Sequence, residues 1–342
     1  MSKGKKTLTG YVGLIFGAAA LSVFIYRLRG QWEGMYRAAV MINYGLMMPV
    51  LLILALMYAL RILRLRLLLM PVARVSAGRI TRALFIGLLA NNIMPARAGE
   101  LIRPYVLQRG GNVSYSRALA VAALDRIFDM AGILILFFFA AGLFLFPDNG
   151  GSLPVGLPNF IHRGSGLVLA VAGVTVATGA LVFFLFFPQK FRRGAMKFAA
   201  VLPQRMQEPC FEFIESAAES ASCLSRPRRA AVPLLYSTGA WFLQGVSTYV
   251  VALGSGIDVG PGGALLITLA VCFAIALPQA PGYLGTYHLA AAVTMESMGV
   301  PEAQAAAFAV VLWAINIFPI TFLGAVLSVC EGIGRGEMKE SG

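Results

Sequence analysis

The sequence predicts an all-α integral membrane protein with about six full transmembrane helices and two oppositely oriented re-entrant helical hairpins, arranged as an inverted repeat. Of the 342 residues, 58% are hydrophobic and only 13% are charged, with a mean hydropathy of +0.78. A soluble domain is about 45–50% apolar and about 25% charged. Six apolar stretches are long enough to cross a bilayer, and two others are short or interrupted by polar residues. These observations together exclude an ordinary soluble enzyme.

The predicted spans follow one another along the whole chain. They cover residues 10–26, 41–60, 118–146, 166–187, 232–254 and 303–330. The first follows Lys3, Lys5 and Lys6 and lacks a small-residue cleavage site, so we expect an uncleaved span rather than a signal peptide. The two broken segments are 83–109 and 264–298. The segment 188–231 alternates aromatic and basic residues, which predicts helices lying on the membrane surface.

The distribution of Lys and Arg orients the chain. Basic residues crowd the N-terminal tail and residues 61–82, 96–117 and 188–231. If the segment 83–109 returns to its side of origin, all of these lie on one side of the membrane. The opposite side then holds only Arg27, Arg29, Arg37 and Arg163. Cytoplasmic loops are the ones enriched in Lys and Arg, so we expect both termini in the cytoplasm and a multi-pass protein of the cell membrane.

The same count predicts how the two halves are related. A full crossing by 83–109 would strand Arg97 and Glu100 in hydrocarbon, at about 2.5–3.5 kcal/mol each. A re-entrant segment avoids this cost. Residues 1–342 then form one polytopic membrane domain with half-repeats at about 1–146 and 166–330. Each half reads span, span, re-entrant segment, span, in opposite orientation, which is typical of secondary transporters.

The first broken segment concentrates polar residues at membrane depth. Pro95 and Gly99 would break the helix, and a second short helix would run from near Gly99 to about Gln108. Its N-terminus and the guanidinium groups of Arg97 and Arg103 suit a phosphate. The candidate site residues here are Asn92, Pro95, Arg97, Gly99, Glu100 and Arg103. The alternative is an ion-pair network that only holds the hairpin together.

A charged motif opens the third predicted span. Asp125 and Asp129 are four residues apart and share a helix face with Arg126 nearby. The two carboxylates could neutralise Arg97 or Arg103 in the empty site. The alternative is helix capping at the interface, with Arg126 reaching towards the headgroups.

The second broken segment offers Pro281, Gly282, Tyr283, Gly285, Tyr287 and His288. The proline and glycines interrupt an apolar run, while the tyrosines and His288 present polar tips. A histidine within a membrane can bind a ligand or carry a proton near neutrality. The alternative is a hydrogen-bonded packing residue.

Several other functions lack support in the sequence. The formal net charge of +13 is explained by basic loops, so no nucleic-acid partner is expected. The four cysteines form no Cys-x-x-Cys pair, and neither a metal nor another cofactor is expected. Nucleotide-binding and hydrolase motifs are absent from the sequence, which argues against an ATP-driven transporter and against an enzyme.

Three motifs, in order, carry a resemblance to a known family. Residues 92–100, NIMPARAGE, followed by Arg103, resemble the Asn-…-Pro-x-Arg-x-Gly-Glu-x-x-Arg signature of the flippase-like family. The motif DRIFD at 125–129 and the motif PGYLG at 281–285 resemble its Asp-Arg-x-x-Asp and Pro-Gly-x-x-Gly motifs. This family is the membrane region of lysylphosphatidylglycerol synthases, and it also occurs as stand-alone proteins. Many of its members carry Glu where this chain has His288.

The resemblance implies movement of an anionic phospholipid or polyprenyl-phosphate-linked lipid between leaflets. The chain lacks the soluble aminoacyl-transferase domain of the synthases, so we do not expect a lysyl-lipid synthase. Two alternatives stay open: an integral-membrane headgroup transferase or phosphatase, and a non-transporting scaffold of envelope lipid synthesis. The expected partners are the anionic lipid substrate and membrane lipids; a homodimer and a lipid-synthesising enzyme partner are left open.

Overall fold

The computed structural model describes residues 15, 17–94, 97–110, 113–145, 188–200, 204–224, 227–276 and 280–332. Throughout this part of the chain the regular structure is helical, without a strand, so the predicted all-α class is confirmed. Part of the first predicted span and the whole span at 166–187 lie outside the described residues.

Twelve helices are found in the described part of the chain. They are α1 (Gly17–Arg27), α2 (Trp32–Val40), α3 (Met47–Leu69), α4 (Ala77–Ile93), α5 (Gly99–Gln108), α6 (Tyr115–Leu145), α7 (Pro188–Ala199), α8 (Gln204–Leu224), α9 (Pro227–Gly254), α10 (Gly260–Ala276), α11 (Thr286–Ser297) and α12 (Glu302–Glu331). Short 3₁₀ turns precede α3 at Tyr44–Leu46 and α11 at Pro281–Tyr283. By length and composition, the helical segments Tyr44–Leu69 and Glu302–Glu331 can cross a membrane.

Local sequence explains where the helices begin and end. The Ser76 hydroxyl accepts a hydrogen bond from the Arg79 amide and caps the start of α4. Pro301 precedes α12, and Gly332 ends it in the left-handed conformation that glycine adopts without a steric penalty. The helix α3 continues to Leu69, well past the predicted limit at residue 60, because Leu65, Leu68 and Leu69 extend its buried face.

The helices α4 and α5 form an antiparallel hairpin. Gly87 of α4 packs against Gly99 and Arg103 of α5, and Arg79, near the start of α4, lies beside Gly110, just after the end of α5. The chain therefore returns to the end of the bundle from which it started. Since α5 has ten residues, it is about 15 Å long, half the thickness of a bilayer core. The predicted bounds of this short helix match the structure.

The helices α10 and α11 form a second antiparallel hairpin. Gly263, near the start of α10, packs against the Met298 sulfur just after the end of α11. The connection contains Gly282, Tyr283 and Gly285, all three with positive φ. Such a turn is accessible to the glycines and is strained at the tyrosine.

The two hairpins open at opposite ends of α12, which is about 45 Å long. Arg79 at the start of α4 and its neighbour Arg82 form ion pairs with Glu331, at the end of α12. At the other end of the bundle, Arg27 pairs with Glu302, the first residue of α12, and with Glu296 of α11. The two hairpins therefore point in opposite directions along α12.

Two apolar clusters hold these elements together. The larger cluster joins α3, α9, α10, α11 and α12 around Met57, Ile267 and Phe308, and the second joins α3, α4, α5 and α6 around Leu65, Ile80 and Phe128. The helix α8 also joins the second cluster through Ala217. The segment 188–231, predicted to lie on the membrane surface, therefore contacts protein along α8, whose apolar face packs on α6.

Candidate functional site

The tips of the two hairpins meet inside the bundle. The Arg97 guanidinium, at the first tip, donates a 2.5 Å hydrogen bond to the carbonyl of Ile275 at the end of α10. The indole N–H of Trp313 on α12 donates a 2.7 Å bond to the carbonyl of Gly282, at the second tip. Asn92 at the end of α4 donates to the Thr321 hydroxyl, also on α12. The single helix α12 thus bonds to both tips.

A buried charge cluster lies beside the first hairpin. Arg64 of α3 donates to Asp125 at 2.7 Å and to Asp129 at 2.6 Å, both on α6. It also donates to the Ser237 hydroxyl on α9 at 2.6 Å. Arg64 is 1% exposed and the two aspartates are 1% and 3% exposed. Charges so deeply buried persist only when they are paired, so this cluster fixes α3, α6 and α9 relative to one another.

The same cluster extends into α5. Arg103 forms an ion pair with Asp125 at 2.9 Å, although the two groups are not aligned as a hydrogen bond. Arg126 bridges Glu100 of α5, at 3.1 Å, and Asp129, at 3.2 Å. The network therefore contains three guanidinium groups and three carboxylates. Its formal charge is zero, and its ion pairs join the hairpin to the helices around it.

The structure corrects the interpretation of the aspartates as helix caps. The helix α6 begins at Tyr115, about three turns before Asp125. Asp125 and Asp129 therefore lie within the helix and face Arg64, not the membrane interface. The expected neutralisation of Arg103 by Asp125 is present, whereas Arg97 forms no ion pair with any described residue. Arg126 reaches carboxylates rather than headgroups.

Two arginines of the site were missed by the sequence interpretation. Arg61 and Arg64 were counted as basic residues of a cytoplasmic loop, but both lie within α3. The available signal was their spacing: positions 61, 64, 65 and 68 fall on one helix face, and Leu65 and Leu68 are fully buried. An arginine within such an apolar stripe indicates a buried partner. Ser237 gave no comparable signal.

Two guanidinium groups near the hairpin tips have no carboxylate partner. Arg61 lies over the ring of Trp241, 5.0 Å from its centroid, and 5.9 Å from that of Tyr58. Arg97 donates one N–H to the Ile275 carbonyl. The Nε atoms of both arginines are buried without a hydrogen-bond partner among the described residues. Arg97 also has φ of 54°, a conformation that costs a residue with a side chain about 1–3 kcal/mol.

The remaining residues of the first motif shape the hairpin. A Cβ atom on Gly99 would lie within 2 Å of the Gly87 carbonyl oxygen, so only glycine permits this approach. The start of α5 is consequently packed against α4. The anion site expected from its helix dipole stays a prediction. Asn92 is buried and bonded to α12. Pro95 lies outside the described residues.

The second motif forms a packed turn and not a charged site. A Cβ atom on Gly285 would lie 2.4 Å from the Leu21 amide nitrogen of α1. Pro281 begins the 3₁₀ turn, and Tyr287 is buried in the larger apolar cluster. His288 lies between the rings of Phe24, at 5.4 Å, and Trp313, at 5.1 Å. Its Nδ1 atom has no hydrogen-bond partner among the described residues, and it makes no ion pair with the charge cluster.

The described residues include no group of three or more His, Cys, Asp or Glu side chains arranged to hold a metal ion. The polar chemistry of the site therefore consists of arginines, carboxylates, tyrosines and Trp241. This set recognises anions through N–H and O–H donors.

Comparison with known proteins agrees with the three motifs. The chain is 26% identical over 287 residues to a protein of Haloferax volcanii named "Glycosyltransferase AglD", covering 75% of this chain and 44% of that protein. The chain thus spans less than half of that relative. It is 25% identical over 270 residues to the "UPF0104 membrane protein PH1989" of Pyrococcus horikoshii, covering 74% and 77% of the two chains.

A third relative is the "UPF0104 membrane protein MJ1078" of Methanocaldococcus jannaschii, 23% identical over 240 residues, covering 69% of this chain and 92% of that one. No solved structure matches the chain. The family described as the lysylphosphatidylglycerol synthase TM region matches residues 11–324, which include both hairpins and the charge cluster. The protein is therefore a membrane protein that belongs to the lysylphosphatidylglycerol synthase transmembrane-region family.

Proposed function

We propose that the protein moves an anionic phospholipid or a polyprenyl-phosphate-linked lipid between the two leaflets of the cell membrane. One observation carries the proposal: two hairpins from opposite ends of the bundle meet beside a charge cluster that, with Arg61 and Arg97, holds two more cations than anions. The surplus comes from these two half-buried arginines, beside a network that is otherwise neutral. An excess of positive charge that is largely withdrawn from water favours the binding of an anion.

The hairpins give this site access from both sides. We infer that α4–α5 enters the membrane from the cytoplasm and α10–α11 from the opposite side. Their short helices bring broken backbone to membrane depth only where protein covers it. A phosphate headgroup would be held between the tips while the lipid chains remain in the bilayer. Movement of one hairpin would open the site to one leaflet, and movement of the other would open it to the second.

A headgroup transferase or phosphatase is the less favoured function. Its acid–base candidates are Glu100, Asp125 and His288. The two carboxylates are each held by at least one arginine, and His288 is buried between the rings of Phe24 and Trp313, away from the charge cluster. This arrangement disfavours proton transfer to or from a substrate. The name of the H. volcanii relative refers to glycosyl transfer, but the chain spans less than half of that protein.

The test is a leaflet assay in proteoliposomes. Purified protein is reconstituted with fluorescent phosphatidylglycerol, and the labelled lipid accessible from outside is followed with time by dithionite quenching. We expect Arg97→Gln to slow flipping at least about tenfold, which is the loss of one charge-assisted hydrogen bond. Arg66→Gln, an exposed position on the same face of the membrane as the start of α4, is the control. Equal rates for the Arg97→Gln variant and the wild type would overturn the proposal.

A further inference from the structure

We propose that Arg61 and Arg97 form a two-pronged phosphate site between the hairpin tips, matched to a headgroup that carries two negative charges, such as a phosphomonoester or a diphosphate. This inference deepens the proposed function and rests on it. The sequence assigns the phosphate to Arg97 and Arg103. The structure instead pairs Arg103 with Asp125 and leaves Arg61 and Arg97 outside the ion pairs of the network.

The separation follows from the partners of each arginine. Arg64, Arg103 and Arg126 each contact at least one carboxylate at 2.6–3.2 Å. Their charge is used within the protein, so binding a phosphate there would require breaking an ion pair. Arg61 and Arg97 form no ion pair with any described residue. An anion can contact these two without displacing a carboxylate.

Arg61 is held in a way that leaves its donors free. Its guanidinium carbon lies over the Trp241 ring, 5.0 Å from the centroid, and this cation–π contact uses no hydrogen bond. A bidentate phosphate contact uses the N–H donors at the edge of the guanidinium group. The contact with Trp241 thus positions the side chain without using its hydrogen-bond donors. The buried Nε of Arg61 and the buried indole N–H of Trp241 are two such unused donors.

The Arg97 side chain is held by α10 of the second hairpin. Its contact with the Ile275 carbonyl uses Nη2 and fixes the side chain against the end of α10, while its buried Nε has no partner. The left-handed backbone at Arg97 turns the chain sharply at the hairpin tip. A strained residue of this kind persists where the surrounding structure imposes it, and such positions cluster at ligand sites.

The two arginines converge on one region. Arg97 contacts the carbonyl of Ile275, one turn beyond Cys272 on α10, and Cys272 lies within electrostatic range of both arginines. Arg61 lies 5.9 Å from the centroid of the Tyr58 ring, and Tyr58 lies within electrostatic range of Tyr283 at the second tip. Tyr58 and Tyr283 are therefore near the two arginines. The two phenol hydroxyls add neutral donors that suit the outer oxygens of a phosphate.

The number of charges decides the class of headgroup. Two half-buried guanidinium groups that form no ion pair repel each other and are only partly solvated. A phosphodiester headgroup brings one negative charge and leaves one cation uncompensated. A phosphomonoester or a diphosphate brings two and neutralises the site. We therefore expect selectivity for the doubly charged group.

Binding of two matched probes tests this inference. Dihexanoyl phosphatidic acid and dihexanoyl phosphatidylglycerol have the same chains, but at about pH 8.5 the first carries two charges and the second one, since the second phosphate pKa is about 6. Calorimetry with the protein in phosphatidylcholine nanodiscs should show at least about tenfold tighter binding of phosphatidic acid. Arg61→Gln and Arg97→Gln should each reduce the preference to less than about twofold. Arg66→Gln should retain it.

Thermal unfolding of the same variants separates this inference from a structural role. Removing a half-buried cation that forms no ion pair should leave the unfolding midpoint of Arg61→Gln equal to or above that of the wild type. Arg64→Gln, which breaks the network, should lower it. Equal affinity of the wild type for the two probes, or a midpoint for Arg61→Gln as low as that for Arg64→Gln, would overturn the two-arginine site. Charge selectivity in binding without flipping in proteoliposomes would instead reject the transport function and leave the site standing.

Discussion

Arg64 and Asp125 form a fully buried ion pair, 2.7 Å between Nε and Oδ1, that joins α3 to the middle of α6. Neither residue faces lipid or water. Arg64 also reaches Asp129 and Ser237, so three polar groups from two other helices surround its guanidinium group. The pair therefore holds α3 and α6 together inside the bundle.

Replacing Arg64 with methionine should destabilise the protein strongly. The substitution leaves Asp129 with only Arg126 and removes one of the two cations from Asp125, and an uncompensated buried charge costs about 3–5 kcal/mol. Chemical unfolding of the purified protein in detergent measures the difference. Arg66→Met, two positions along the same helix at an exposed site, should change the free energy of unfolding by less than about 0.5 kcal/mol. Similar values for the two variants would contradict the role assigned to Arg64.

A single methyl group at Gly99 should force the first hairpin apart. A Cβ atom there would overlap the carbonyl oxygen of Gly87, so α5 must move away from α4. We expect Gly99→Ala to lower the free energy of unfolding by about 1–3 kcal/mol. Gly78→Ala is the matched control in the same hairpin, because nothing lies near its Cβ position. That variant should be neutral or stabilised by up to about 1 kcal/mol. A neutral Gly99→Ala variant would show that the helices are less tightly packed than described.

His288 occupies a position where many family members carry Glu, so the effect of a carboxylate there can be predicted. Its ring lies between Phe24 and Trp313, and no described cation forms an ion pair there. A carboxylate at this position would be buried without a partner, so His288→Glu should destabilise the protein by at least about 1–3 kcal/mol. His288→Gln, which is polar but neutral, should lose less. The thermal unfolding midpoints of the two variants test this prediction. A His288→Glu variant as stable as the wild type would mean that a cation reaches this pocket.

Trp313→Phe should loosen the second tip while preserving its aromatic neighbours. The substitution keeps a ring beside His288 and Phe318 and removes the hydrogen bond to the Gly282 carbonyl. We expect a loss of about 1 kcal/mol and faster hydrogen exchange of the amides at 281–285. Trp32→Phe, at a half-exposed position of α2, is the control. Unchanged exchange at the tip would argue that the bond does not hold it.

The sequence was most informative where backbone chemistry is decisive. Proline and glycine break helices for local reasons, and the predicted short helix from Gly99 to Gln108 and the break at 281–285 both appear in the structure. Charge asymmetry predicted hairpins of opposite orientation, and their open ends lie at opposite ends of α12. These features depend on neighbouring residues along the chain.

The sequence was least informative where a partner is distant in the chain. Arg64 follows an apolar run and precedes several arginines, so it was taken for a loop residue; its partners are on α6 and α9. The same reasoning placed Asp125 at a helix start, because the apolar stretch seemed to begin there, whereas α6 starts at Tyr115. Burial of a charge depends on tertiary contacts that no local pattern encodes.

The bonds from α12 to both hairpin tips have a mechanical consequence. Trp313 holds Gly282 and Thr321 holds Asn92, at points about 12 Å apart on one helix that carries Pro319 between them. A displacement of one tip must either break its bond or move α12, and movement of α12 acts on the other tip. In the proposed transport function, the two tips would therefore not move independently, and access from one leaflet would be linked to the state of the tip that faces the other.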